Sequence, residues 1–130
     1  MAAIHRLKID SDILKTGAVS PELVEELFRT VDESISYEIE VAGGTAATTL
    51  PGIGTGATQI QTIQSFVLIT DTSVTLGWNS ANTSLVVASG NRRAVFVAYG
   101  ITYDTSSLTA PTIANSGTAT ATIQVMLGGT

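Results

Sequence analysis

The chain has 130 residues, no cysteine, a net charge of −5 and 44% hydrophobic residues, which together predict one domain with a substantial core. The acidic balance disfavours binding to nucleic acid or to an anionic membrane surface, and the lack of thiols excludes disulfides and thiolate metal sites. No apolar run is long enough for a membrane span or a signal peptide, so we expect synthesis in the cytoplasm and no membrane partner. We also expect no cofactor.

The charged residues are concentrated at the start of the chain. Residues 1–40 hold 4 of the 6 Lys and Arg residues and 9 of the 11 Asp and Glu residues. Residues 41–130 carry only Asp71, Arg92, Arg93 and Asp104, and are rich in Thr, Ser, Gly, Ala, Val and Ile. Because catalysis and metal binding need ionisable side chains, this composition predicts a protein that is not an enzyme. It also divides the chain into an N-terminal docking element, residues 1–33, and a β-domain, residues 34–130.

The N-terminal part predicts a short strand followed by a helix. Residues 3–9 have strand character, and Gly17 closes this arm. Ser20 is a suitable N-cap and Pro21 suits the first helical position, so we predict a helix from Pro21 to Val31. Its apolar stripe is a candidate interface, formed by Leu23, Val24, Leu27, Phe28 and Val31.

After Ser34 the hydrophobic period changes from 3.6 to 2, which predicts strands. Predicted strands cover residues 35–41, 45–50, 58–70, 74–78, 85–88, 94–104 and 118–127, with turns or loops at 43–44, 51–56, 79–82, 89–91 and 105–111. Within 94–104, alternation places Val95, Val97, Tyr99, Ile101 and Tyr103 on one face. Strands at intervals of 8–14 residues predict an all-β fold: an antiparallel β-sandwich, jelly-roll or Ig-like, with one short N-terminal α-helix.

Few residues suggest chemistry. Glu38 and Glu40 lie about 7 Å apart on one strand face, a spacing that suits a glycosidase pair, but no cleft is indicated and we expect a solvated strand face near Arg92 or Arg93. His5 is the only histidine and is expected at a surface or an interface. The glycine-rich segment 52–56 lacks the residues of a nucleotide-binding loop.

Two further groups are candidates for binding. Arg92 and Arg93 follow a tight turn, where they either solubilise it or meet an anionic partner such as the glutamates of a neighbouring subunit. Trp78, Tyr99 and Tyr103 either stack against a sugar or pack in the core or an interface.

Three segments in the second half of the chain resemble small virion proteins of tailed bacteriophages. They are FVLITDTSVTLGW (66–78), LVVASGNRRAVFVAYG (85–100) and IANSGTATATIQVMLGG (113–129). The resemblance implies a β-sandwich or jelly-roll that decorates or cements a capsid, or belongs to a neck, tail or fibre, and it transfers no functional residues. With it, we expect a non-enzymatic virion structural protein that forms a homo-oligomer, most simply a trimer, and binds other virion proteins. The alternative is a carbohydrate-binding module that uses the three aromatic residues.

Overall fold

The computed structural model describes residues 3–12, 22–79, 81–105 and 111–130. Within these ranges all regular secondary structure is strand, so the predicted all-β class is confirmed. The ten strands are β1 (Ala3–Asp12), β2 (Glu22–Val31), β3 (Glu33–Val41), β4 (Thr45–Thr49), β5 (Thr62–Thr70), β6 (Val74–Trp78), β7 (Ala81–Leu85), β8 (Ala94–Asp104), β9 (Thr112–Asn115) and β10 (Ala121–Gly129).

The predicted N-terminal helix is wrong. Residues 22–31 form β2, which pairs antiparallel with β1 from Ala3 opposite Val31 to Asp12 opposite Glu22. Eleven residues make a marginal helix in water, and ten residues of cross-strand pairing outweigh the local capping signals. Ser20 and Pro21, on which those signals depended, lie outside the described residues. The residues proposed as an interface lie on this strand and not on a helix: Leu23, Val24, Leu27, Phe28 and Val31 all belong to β2, with Leu27 half-buried and Val31 buried.

The other eight strands pair as if the chain were folded back on itself. Strand β3 pairs with β10, β4 with β9, β5 with β8 and β6 with β7, and all four pairs are antiparallel. Two additional pairings, β10 with β5 and β6 with β9, complete two four-stranded sheets. Their strand orders are β3-β10-β5-β8 and β4-β9-β6-β7.

One core cluster contains side chains from both four-stranded sheets. Phe66 and Leu68 of β5, Leu76 of β6 and Ile123 of β10 are completely buried, and Ile113 of β9 is nearly so. The burial patterns of β5 and β10 alternate, so each presents one apolar face to this cluster. The opposite face of the β3-β10-β5-β8 sheet is called the outer face below.

Several predicted boundaries differ from the observed ones. Strand β7 ends at Leu85, where the predicted strand begins, because Trp78 pairs with Ala81 across a turn in which Asn79 has a positive φ of 49°. The four-residue β9 was not predicted, since it follows Pro111 and is too short for its alternation to be recognised. Residues 51–61 are anchored by the buried side chains of Ile53 and Ile60, which form a parallel bridge.

Candidate functional site

A line of polar side chains crosses the outer face from one edge of the sheet to the other. Arg93, just before β8, donates from Nη1 to Gln124 Oε1 on β10 at 3.2 Å. Gln124 in turn donates from Nε2 to Glu38 Oε2 on β3 at 3.2 Å. The amide suits this position because its oxygen faces the guanidinium and its NH₂ faces the carboxylate. The predicted proximity of Glu38 to the arginine pair is confirmed for Arg93, with Gln124 as the link.

Beside this polar line lies a row of apolar side chains on the same face. Val95 and Val97 of β8 are 55% and 38% exposed. They face Ile69 and Val67 of β5, which are half-buried, and Val67 faces the half-buried Met126 of β10. A shallow groove of about 490 Å³ runs over β3, β10 and β5 beside this row. The outer face thus combines exposed aliphatic side chains with charges of both signs.

The β1–β2 hairpin covers the other end of the outer face. His5 Nδ1 and Ser65 Oγ form a hydrogen bond of 2.7 Å, and both residues are buried. Ser65 is opposite Gly128 of β10, and a Cβ at position 128 would lie 2.5 Å from His5 Cε1 and 2.6 Å from Ser65 Oγ. Only glycine at position 128 therefore lets the histidine ring reach the sheet. His5 therefore lies at an internal interface between the hairpin and the sheet. The sequence alone does not reveal this contact, because it does not show that Ser65 and Gly128 are neighbours of His5.

Burial makes this histidine sensitive to acid. Desolvation lowers the pKa of His5 below its ordinary value of 6.5. A lowered pKa means that the folded protein binds fewer protons than the unfolded chain, so the stabilisation is complete above about pH 6.5. It is lost as the pH falls from there towards the lowered pKa.

We expect the free energy of unfolding to decrease between pH 7 and pH 5, with a slope of at most about 1.4 kcal/mol per pH unit from this residue. His5→Gln keeps a polar side chain but cannot titrate, so its slope over that interval is expected to be smaller. Urea unfolding at three pH values measures both slopes. Equal slopes for the two proteins would contradict the buried, neutral histidine.

Trp78 and Tyr103 pack in an aromatic cluster at the core. The ring centroid of Trp78 lies 4.8 Å from that of Tyr103, 5.1 Å from that of Phe66 and 5.7 Å from that of Phe96. Tyr103 is buried and Trp78 half-buried. Tyr99 is on the outer face opposite Ser65, its hydroxyl is buried with no hydrogen-bond partner among the described residues, and desolvation raises its pKa. The three residues named as a possible glycan contact thus do not share one exposed face.

A bulge in β8 separates Tyr103 from the residues with which alternation had grouped it. The pairing of β5 with β8 shifts between Ile63, which is opposite Tyr103, and Ser65, which is opposite Tyr99. Gly100 lies inside this shift with φ of 71°, a conformation that glycine adopts without strain. As a result Val95 and Val97 point outwards, whereas Tyr103 points into the core.

The remaining candidates are exposed. Glu38 and Glu40 are both at the solvated surface of β3, whereas a hydrolase that used them would hold one carboxyl in a dry pocket. Arg92 is exposed beside Arg93. No group of three or more potential metal ligands occurs in the described ranges. Over the same residues, no helix has the length and apolar character needed to cross a bilayer.

Comparison with known proteins gives no relative from which a function could be transferred. No family model, curated protein sequence or solved structure matches this chain.

Proposed function

We propose that this chain is a non-enzymatic structural protein of a bacteriophage virion, either a capsid decoration or cement subunit or a component of the neck, tail or fibre. The observation that carries the proposal is the outer face. Exposed Val95 and Val97 lie beside a charged line that ends in Glu38 and Arg93, on a sheet whose other polar groups are mostly hydroxyls and amides. The hydroxyls and amides of this surface cost less to dehydrate than charged groups, and the exposed valines offer hydrophobic contact to a partner.

We further infer that the two four-stranded sheets form a jelly-roll β-sandwich. The four nested pairs, β3 with β10 through β6 with β7, describe one long hairpin rolled into two sheets, and both sheets contribute to one core. An Ig-like fold would distribute its strands differently between the sheets. Jelly rolls occur in viral capsid proteins and also in lectins, so the fold agrees with the proposal and does not select it.

The alternative, a carbohydrate-binding module, has weaker support. Trp78 and Tyr103 would have to leave the aromatic cluster to present their rings to a sugar. Trp78→Ala is therefore expected to destabilise the protein rather than to remove a binding site from an intact fold. Binding to a glycan array that Trp78→Ala abolishes without a change in the circular dichroism spectrum would favour the alternative.

The virion assignment is tested on particles and on gene order. Particles purified from cultures that produce the phage encoding this chain are expected to contain it in a fixed ratio to the major capsid or tail protein, as measured by quantitative mass spectrometry. Capsid, portal or tail genes are expected beside its gene. Absence from purified particles, together with neighbouring genes that encode no virion parts, would show that the proposal is wrong.

A further inference from the structure

The β3-β10-β5-β8 sheet has two open edges. Strands β3 and β8 are its outermost members, and in the part of the chain that the structure describes neither pairs with a strand on its outer side. Unpaired strand edges are templates for pairing with another chain unless charge, proline or a bulge blocks them. The first half of β8, residues 94–98, carries no charged residue or proline and precedes the bulge at Gly100. This half of β8 is therefore available for pairing.

Strand direction permits the two edges to pair with each other between copies. All neighbouring strands of the sheet are antiparallel, so the first strand, β3, and the fourth strand, β8, run in opposite directions. A second copy that simply continues the sheet would present its β3 antiparallel to β8 of the first copy. The antiparallel ladder would then extend across both molecules without a change of pattern.

The register places opposite charges together in that arrangement. Glu38 is level with Gln124, Ile69 and Val95 across the four strands, as their pairings show. Two residues along the strands from this level, Glu40 is opposite Thr122, whose N–H donates to Asp71 Oδ1 at 2.8 Å. Arg93 is likewise two residues from Val95 and immediately precedes the first paired residue of β8. Continuing the sheet without a change of level thus places Arg93 of one copy beside Glu40 of the next, with Glu38 diagonal to it.

Pairing between identical edges lacks this complementarity. Two β3 edges would bring Glu33, Glu38 and Glu40 of each copy towards those of the other, and like charges across a sheet are destabilising. Two β8 edges paired over residues 94–98 would leave Arg92 and Arg93 beside the uncharged residues around Gly100. Charge and register therefore favour β8 against β3.

We propose that β8 of one copy pairs antiparallel with β3 of a neighbouring copy, in the register that places Arg93 opposite Glu40 and Val95 opposite Glu38. The contact is heterologous, so it closes into a ring, of which a trimer is one solution, or continues as a filament. This inference deepens the oligomer expected of the proposed virion protein and rests on that function for its biological meaning.

The lack of cysteine allows a direct test by disulfide formation. In the variant Val95→Cys with Glu38→Cys, the two positions of one chain are three strand spacings apart, about 14 Å, which is too far for an internal disulfide. Between copies they would be directly opposite, at a distance that a disulfide spans. Non-reducing electrophoresis is expected to show a ladder or one closed ring that collapses on reduction.

Matched variants test the register and the direction. Val95→Cys with Ser34→Cys moves the β3 thiol four residues, about 13 Å, along the strand, and is expected not to cross-link. Val95→Cys alone is expected to stay uncross-linked, because a heterologous contact never brings two copies of one position together. Adding Arg93→Glu to the cross-linking pair is expected to lower the yield roughly tenfold, and further addition of Glu40→Arg should restore it.

Each result decides the proposal. Equal cross-linking with Ser34→Cys, or efficient cross-linking of Val95→Cys alone, would overturn it. Monomers in light scattering together with no cross-link at about 100 µM protein would also overturn it, because that concentration detects contacts with Kd values up to roughly the same level. Circular dichroism shows that each variant is folded before it is scored. If the expected cross-links do not form but the protein is still found in purified particles, the strand pairing is wrong and the proposed virion function is unaffected.

Discussion

Phe66→Ala is expected to lower the free energy of unfolding by about 3–5 kcal/mol. Phe66 is completely buried on β5, the strand between β10 and β8. Its ring lies 5.6 Å from that of Phe96 in an edge-to-face contact and 5.1 Å from that of Trp78. Truncation to alanine removes the buried ring, leaves a cavity, and breaks both aromatic contacts, which are each worth about 0.5–1.5 kcal/mol beyond their burial.

Trp78 provides the measurement, because it is the only tryptophan and belongs to the same cluster. Urea unfolding followed by its fluorescence gives the free energies of the wild type and the variant. Val97→Ala, on the outer face of the neighbouring strand, is a matched control that is expected to cost less than about 1 kcal/mol. Similar losses for the two variants would mean that the aromatic cluster is not the centre of the core.

The sequence predicted best the strands whose two faces have different surroundings. Strand β8 matches its predicted span, and β3, β5 and β6 match closely, because one face of each packs on the core while hydroxyls, charges or small apolar groups occupy the other. Strand β9 has only four residues between Pro111 and the polar stretch that begins at Ser116, which is too short a window for two-residue alternation. Alternation thus finds long strands, while short ones depend on partners distant in sequence.

The predicted helix failed for a related reason. Ser20, Pro21 and the glutamates near them describe the start of a helix from neighbouring residues alone. Residues 22–31 form a strand because they pair with β1, which is earlier in the chain and has ten residues opposite those of β2. Propensity is a weak prior that tertiary pairing overrides, and the pairing partner of a strand cannot be deduced from the capping residues of a helix.

The candidate site was predictable only in its charged members. Arg93 attracts attention because charge is so rare after residue 40, and Glu38 because it shares a strand face with Glu40; the structure connects the two through Gln124. Gln124 gave no signal, because a glutamine on a solvated strand face resembles any other polar residue until its two neighbours are known. The contact of His5 with Ser65 joins residues 60 positions apart and depends on a glycine in a third strand. Such sites are set by topology, which local patterns do not contain.

Asn115 is the second residue at which we expect a large effect. It ends β9 in one four-stranded sheet and is completely buried. Its Nδ2 donates to the carbonyl oxygen of Val41, at the end of β3 in the other sheet, at 3.0 Å, and to that of Ala119 at 2.8 Å. Its Oδ1 accepts from the N–H of Gly117 at 3.1 Å. One side chain thus ties together β9, the end of β3 and the turn that leads into β10.

Asn115→Leu keeps the approximate volume but removes all three hydrogen bonds. The Val41 carbonyl lies in an enclosed position, while the other two groups lie near exposed residues and can turn partly to water. An unsatisfied buried group costs about 1–3 kcal/mol, so we expect a total loss of about 2–4 kcal/mol. Asn82→Leu makes the same substitution at an exposed position of β7 and is expected to change stability by less than about 0.5 kcal/mol.

Asn115→Asp distinguishes the loss of donors from the loss of packing. The carboxylate keeps an acceptor for Gly117 but faces the carbonyl oxygens of Val41 and Ala119, so burial and these oxygens should raise the pKa of the new acid. A raised pKa in the folded state means that this variant regains stability relative to the wild type as the pH falls, when the protonated acid can again donate one hydrogen bond. Urea unfolding at pH 7 and pH 4 measures the difference between variant and wild type. Little or no deficit at pH 7 would show that Asn115 contributes through its shape and not through its donors.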